Sequence, residues 1–511
     1  MSAVGFRKNK RGSVLAYGLI IMFAVSVILM SMLSYITSQL KFSYNRAEKE
    51  EAFQVAEAGV YYYRWYLAHQ TSGKTAQQIQ TFWTSGNPLG VGAAYEVDYE
   101  DLGRYKIEVT APSTGSTIVT VKSTGWTYKE PGIKRVVQVR FRRPSWSEYA
   151  VLANNFVRFG EGTNVYGKIH SNKGIRFDGV AHNVISSLVS TYDDPDHGGN
   201  SEFGVHTHVN APPASGVNDT FRAAEAPPSV MSSRTDVFMA GRQFPVPEVS
   251  FTGVVSDLSF MKTQAQSGGG KYFDNTAEGR QIILKANGDY DVYTVNSYDV
   301  SSNFITGYAG TKNSNGTGTA CTAPTTSDGP NTQCKNKTNG STCYCKSSTY
   351  TIPNNSVIFV EDNIWLEGTI NTKKVTVVAA NLIGGLESNI FIGNNNILYT
   401  NLDGTDILGV IAQNDVEVIK NSQDNLIIDG GFIAKDGRVG RADYGTSDHK
   451  NSITLNGSMA TNQRYGFAWT NGYSDWGYDT RNLNFDNNLL YYPPPYFPTG
   501  TEYAIDLWQE L

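Results

Sequence analysis

Hydrophobic and polar positions follow three successive regimes along the chain. The first opens with a basic cluster, Arg7, Lys8, Lys10 and Arg11, and then runs from Ser13 to Leu40 without a charged residue. Its apolar core, Val14 to Val25, continues through Ile28, Leu29 and Met30. At a rise of about 1.5 Å per residue, this stretch is long enough to cross about 30 Å of hydrocarbon. The basic residues ahead of it keep the N-terminus in the cytoplasm and put the rest of the chain outside. A secretory signal would be shorter and closed by an Ala-x-Ala-like site; here the run passes instead into Ser34-Tyr35-Ile36-Thr37-Ser38-Gln39-Leu40. Past Lys41 the residues are mostly strong helix formers, among them Ala47, Glu48, Glu50, Glu51, Gln54, Glu57 and Ala58. Ala52, Val55, Ala56, Gly59 and Val60 recur at three- and four-residue steps and make a stripe of small residues. The pattern predicts one helix over 13–70, with a membrane-crossing segment at 13–40 and an amphipathic second half. A plain anchor would need no such second half.

The second regime, 71–145, begins with a polar connecting stretch and then alternates. Tyr95–Tyr99, Tyr105–Val109, Thr117–Lys122 and Arg135–Phe141 each place apolar residues at every second position, as a sheet with one buried face requires. Gly103, Ser113-Thr114-Gly115 and Pro131-Gly132 supply the turns, and Pro144 ends the module. Four strands after a long helix predict an antiparallel sheet laid on the helix's amphipathic half. The third regime, 146–511, consists of short apolar runs broken by Gly and Asn, such as Ser356–Val360, Val375–Ala379, Ile407–Ile411 and Asp415–Ile419. Coils that bury inward side chains and turn at Gly or Asn predict a parallel β-helix. Its first coils fall at 151–190 and its main stack at 352–460, with long loops at 191–351; a β-sandwich with long loops is the alternative. The aromatic and proline-rich residues 491–498, with the segment on to Trp508, are expected to cover the end of the stack. The fold class is thus mainly β with one long N-terminal α-helix.

Composition sharpens this picture. A chain of 511 residues exceeds one ordinary core, and its charged fraction of 17% is low against a norm of roughly 25%. The net charge of −5 gives no basic footprint, so nucleic acid is not expected as a partner. Cys321, Cys334, Cys343 and Cys345 all lie in one Gly/Ser/Thr/Asn-rich stretch. In an exported chain this predicts disulfides, of unassigned pairing. A zinc knot is the rival, and the C-x2-C spacing of zinc ribbons is missing.

Three features in order carry a family resemblance: Arg11-Gly12-Ser13-Val14-Leu15, the long apolar helix, and Glu51-Ala52-Phe53-Gln54-Val55-Ala56-Glu57-Ala58-Gly59-Val60. Together they resemble the PilX-type minor pilins and pseudopilins of type IV pilus-like filaments. The resemblance implies a leader at 1–12, cut by prepilin peptidase between Gly12 and Ser13, and a mature subunit held in the inner membrane before assembly. It implies contacts with other pilins through the helix, at Tyr17, Glu51, Phe53, Ala56 and Glu57, and a final place on an extracellular filament or the cell surface. The Ser123-Thr124-Gly125 turn also recurs in that family. Major pilins carry a glutamate five residues after the cut, which pairs with a neighbour's N-terminal amine; this chain has Tyr17 there. Within the family, that gap goes with a place at the filament tip.

Two groups of residues could carry chemistry in the distal region. Five of the seven histidines, His170, His182, His197, His206 and His208, fall near Asp193, Asp194 and Asp196. Imidazole with carboxylate can hold zinc or a similar ion, while a solvated polar loop is the plainer reading; no other cofactor is implied. Parallel β-helices also host enzymes that act on polysaccharides, with Asp415, Asp429 and Asp436 as candidate acids. No G-x-S-x-G, H-E-x-x-H or P-loop is present, so a non-enzymatic role is expected. Many Tyr, Trp, Asn and Thr residues on a rigid scaffold suit adhesion to a host or surface glycan or protein.

Overall fold

The computed structural model describes residues 11–113, 116–196, 199, 201–218, 225–251, 254–308, 312–313, 334–336, 342–345, 348–385, 387–471, 474–500 and 502–511. One helix, α1 (Arg11–Thr71), runs unbroken for 61 residues. Every residue from Val14 to Tyr44 is exposed. The second half is different: Ala52, Val55, Ala56, Val60, Tyr63 and Leu67 are all buried.

That buried stripe lies on an antiparallel sheet of β1 (Tyr95–Tyr99), β2 (Gly103–Thr110), β3 (Ile118–Thr127) and β4 (Lys134–Arg142). The alternation read from sequence is realised as Tyr105, Ile107, Val109, Val119, Val121, Val137, Val139 and Phe141 facing the helix. Small residues set how close the layers come. A Cβ added to Gly125 would collide with Ala56 N and Ala52 O, and one added to Gly59 would collide with Ser123 Oγ. The Ala/Gly stripe of α1 is thus a shape match to β3.

The polar connecting stretch holds a short helix, α2 (Ala76–Ser85). Thr75 and Gln78 form a reciprocal capping box at its start, and Ile79, Phe82 and Trp83 bury its apolar side. A larger difference concerns the C-terminus. Residues 504–510 do not cover the end of the solenoid: the strand Ala504–Glu510 pairs antiparallel with β4, from Ala504 opposite Arg142 to Glu510 opposite Val137, and completes a five-stranded sheet. Tyr503 is buried in this core and accepts a 3.0 Å hydrogen bond from Trp83 Nε1. The sheet is therefore built from both sides of the distal region. The chain leaves and re-enters it side by side: Ser145 bridges Thr499, and Gly500 N–H donates to Pro144 O at 2.8 Å.

The distal region is a column of parallel coils with three strand faces. One face stacks 271–273, 356–360, 374–379, 407–412, 431–434, 458–461, 151–153, 169–171, 185–187 and 242–243 in that spatial order. The two runs of coils seen in the sequence are therefore one column whose order is permuted. The chain enters midway at Val151, runs out to residues 242–243, returns, and climbs again from Lys271. The last coils dock on the first, with Met459 opposite Val151 and Arg481 opposite Thr163. An asparagine ladder ties this junction: Asn172 Nδ2 donates to Asn154 Oδ1 at 2.9 Å, and Asn154 Nδ2 to Asn462 Oδ1 at 2.8 Å. A continuous core fills the interior, from Ile282 and Ile358 through Val410 and Leu455 to Val151 and Ile185.

Residues 191–351, expected as loops, contribute real structure. Lys271–Phe273 and Gly279–Leu284 are column strands, and Asp289–Asp299 pairs antiparallel with the latter. The returning segment forms α3 (Val254–Ser267), whose Leu258, Met261 and Ala265 pack on Val357, Phe359 and Val378. Phe497 packs against the same outer side, and Thr376 Oγ1 donates to Pro495 O. The segment 491–498 thus lines a flank of the column.

Candidate functional site

Two places could carry function: the helix α1, and a buried His–Asp cluster at the far end of the column. Gly12 and Ser13 fall within α1, and their side chains lie outside those described. Tyr17 stands on the uncovered half and is 65% exposed. The stretch Val14–Thr71 contains a window of mean hydropathy 2.5, none of it buried, long and apolar enough to cross a membrane. The remaining helix residues that the resemblance assigned to filament contacts are occupied partly within the chain itself. Ala56 is fully buried under Gly125, and Phe53 meets Trp508 of the C-terminal strand edge-on at 5.8 Å. Glu51 Oε2 lies 3.9 Å from Lys129 Nζ, and Glu57 is half-buried. Glu48 is buried and accepts a 2.7 Å hydrogen bond from Thr127 Oγ1.

The histidine-rich span does not come together as one set. His170 sits between Ser186 Oγ and Asn172 Oδ1, each at 3.1 Å, and burial lowers its pKa. His182 stacks on Tyr166 with ring centroids 3.9 Å apart. Asp193 is exposed, while Asp196 is held by Arg464 through two 2.6 Å hydrogen bonds and by Arg158 at 3.2 Å. His197 lies outside the described residues. What the fold does assemble is Asp194, His206 and His208, all buried, with their ligand atoms within 4.8 Å of one another.

Each member is placed by a different element. His206 ends the strand Val205–His206, which pairs with Ile175–Phe177 and puts His206 opposite Arg176. His208 follows, its backbone N–H donating to Asp178 Oδ1 at 2.8 Å and its Nδ1 bonded to Asn218 O at 2.8 Å. Asp194 comes from the loop of the hairpin Thr191–Tyr192 with Glu202–Phe203. Its N–H donates to Glu202 Oε2 at 3.1 Å, and its Oδ1 accepts from Asp196 N–H at 3.0 Å. Burial pushes the Asp194 carboxyl up, but His206, the Asp196 N–H and Arg176 more than reverse this and hold it below the usual carboxylate range. Clustering near one another was legible as composition; the choice of these three depended on the strand register.

The three aspartates considered as acids occupy separate positions on the stack. Asp429 accepts from Tyr399 N–H and Asn456 Nδ2, both at 2.8 Å, within a ladder that continues to Asn484. Asp415 accepts from Arg438 N–H at 2.7 Å, and Asp436 pairs with Lys435. A cleft of ≈ 370 Å³ opens beside the coil junction, lined by Arg158, Arg438, Arg464 and Trp469 among others. Cys321 lies outside the described residues. Cys334 stands opposite Cys345 in a small three-stranded sheet that also carries Cys343; the cysteine side chains are not among those described.

These features define an architecture of apolar helix, small sheet and inserted solenoid. No protein-family model and no curated protein matches the chain. Among solved structures, a competence-associated pilin, ComZ from Thermus thermophilus, aligns over 91% of this chain and 97% of its own, at 14% identity and a TM-score of 0.30. At that distance the functional reading rests on this chain's own residues.

Proposed function

We propose that this protein is a minor pilin or pseudopilin of a type IV pilus-like filament, placed at or near the tip, where its solenoid serves adhesion or filament priming. One observation carries the reading. An apolar half-helix, exposed from Val14 to Tyr44, continues directly into a half that is locked under a sheet. Water does not tolerate such a surface, so a bilayer or a bundle of like helices must cover it. A rigid rod shared by both environments can be withdrawn from one into the other. Tyr17 at the fifth position after the Gly12–Ser13 cut supports the terminal place, because no carboxylate there meets a neighbour's amine. The structural hydrogen bonds of Asp415 and Asp429 favour display over catalysis, and the Arg- and Trp-lined cleft offers one surface for a ligand.

The test is N-terminal mass spectrometry in cells with and without prepilin peptidase, combined with shearing of filaments. A mature N-terminus at Ser13 and sub-stoichiometric presence in the sheared fraction are expected. An uncut chain that stays in the inner membrane and never accompanies filaments would refute the reading.

A further inference from the structure

The buried cluster at the column's end combines features that a plain polar core would not need. His206 is fully buried, and among the described residues neither of its ring nitrogens has a hydrogen-bond partner. Its Nε2 lies 3.5 Å from Asp194 Oδ2, beyond a good hydrogen bond. A buried polar group left this way destabilises the fold unless something else satisfies it. His208 is set up differently: its Nδ1–H donates to Asn218 O, which places the ring's lone pair on Nε2. A backbone carbonyl holding one imidazole nitrogen is the usual outer-shell support for a metal bond through the other. The surroundings are charged as well: Arg176 is buried beside the cluster, its Nε donating to Asp178 Oδ2 at 2.7 Å and its Nη1 lying 4.0 Å from Asp194 Oδ2.

We propose that Asp194, His206 and His208 bind one divalent transition-metal ion of the zinc class, which fastens the 191–203 hairpin to the terminal coil. Two imidazoles and a carboxylate suit zinc and its neighbours, whereas calcium and magnesium prefer oxygen alone. Bonds of about 2.0–2.2 Å put tetrahedral ligand atoms about 3.3–3.6 Å apart, so the side chains close by roughly an ångström on the ion. The site is independent of the filament reading, since none of its three residues belongs to α1 or to the sheet that α1 packs on.

The full chain, purified in detergent without an oligohistidine tag and stripped with chelator, is dialysed against Zn²⁺, and bound metal is measured by mass spectrometry after gel filtration. Wild type is expected to retain a single Zn²⁺ per chain and to melt at a higher temperature than the stripped protein. His206→Ala and His208→Ala should lose both effects, while His182→Ala should keep them. Co²⁺ in place of Zn²⁺ gives a readout that needs no variant: strong visible bands from a four-coordinate nitrogen–oxygen site. Zinc retention equal in wild type and the two site variants overturns the proposal, and so does a Co²⁺ spectrum of the aqueous ion. Displacement of Zn²⁺ by equimolar Ca²⁺ would overturn it too, since an oxygen-only site would then be at work.

Discussion

At Gly125 a missing side chain decides whether two layers of the fold can meet. Any Cβ there would collide with the backbone of α1 at Ala52 and Ala56, and backbone cannot rotate aside. Gly125→Val should therefore push β3 from the helix and cost about 1–3 kcal/mol, in the manner of an overpacked core. A fall in the midpoint of denaturant unfolding, with little change at the exposed Gly132, would bear this out. The small residues of α1 were visible in the sequence, but their partner was not. Periodicity gives the face of a helix, whereas the depth of its seat depends on Gly125, far along the chain from Ala52 and Ala56.

At the scale of elements, alternation over five or more residues made β1 to β4 legible, because a period of two survives without any knowledge of partners. Shorter elements were harder. The strands of the coils are often three residues long, so their existence could be read while their stacking order could not. Nothing local records that residues 458–461 lie beside 151–153. α2 and α3 leave little local trace, because each is a single short helix whose apolar side is defined by what it packs against. α3 also carries a titrating group at its start. Burial raises the Asp257 carboxyl to about 6, against the opposing pull of Arg143. In the unfolded chain an aspartate titrates near 3.9. A folded pKa raised in this way gives a stability contribution that is complete below about pH 4 and is lost as pH rises through about 6. The loss amounts to at most about 3 kcal/mol, at about 1.4 kcal/mol per unit. Thermal melts of the wild type should fall between pH 4.5 and 7 relative to Asp257→Asn, whose profile lacks this step; parallel profiles would reject the assignment.

At the scale of the whole molecule, the sequence suggests a cut after residue 145, with a small helix–sheet unit before it and a solenoid after it. The strand Ala504–Glu510 shows why that boundary fails physically. It covers the edge of β4, brings Trp508 onto Phe53, and carries Tyr503 into the core beside Trp83. Its residues, exposed or half-buried throughout, show no alternation to announce a fifth strand. Two shortened chains should consequently behave in opposite ways. Ending the chain at residue 145 leaves β4 as a bare edge, which invites pairing between chains, and removes the aromatic cover from Phe53 and Trp83. Replacing residues 146–498 by a short Gly-rich turn keeps that cover, because Ser145 and Thr499 are already paired neighbours across the gap. Loop closure adds little cost when the ends are adjacent. In detergent, the excised chain should give a cooperative thermal transition and a monodisperse peak, and the truncated chain should aggregate or melt without cooperativity. Equal behaviour of the two would mean that the last strand is a passive attachment, and that the small sheet is complete with four.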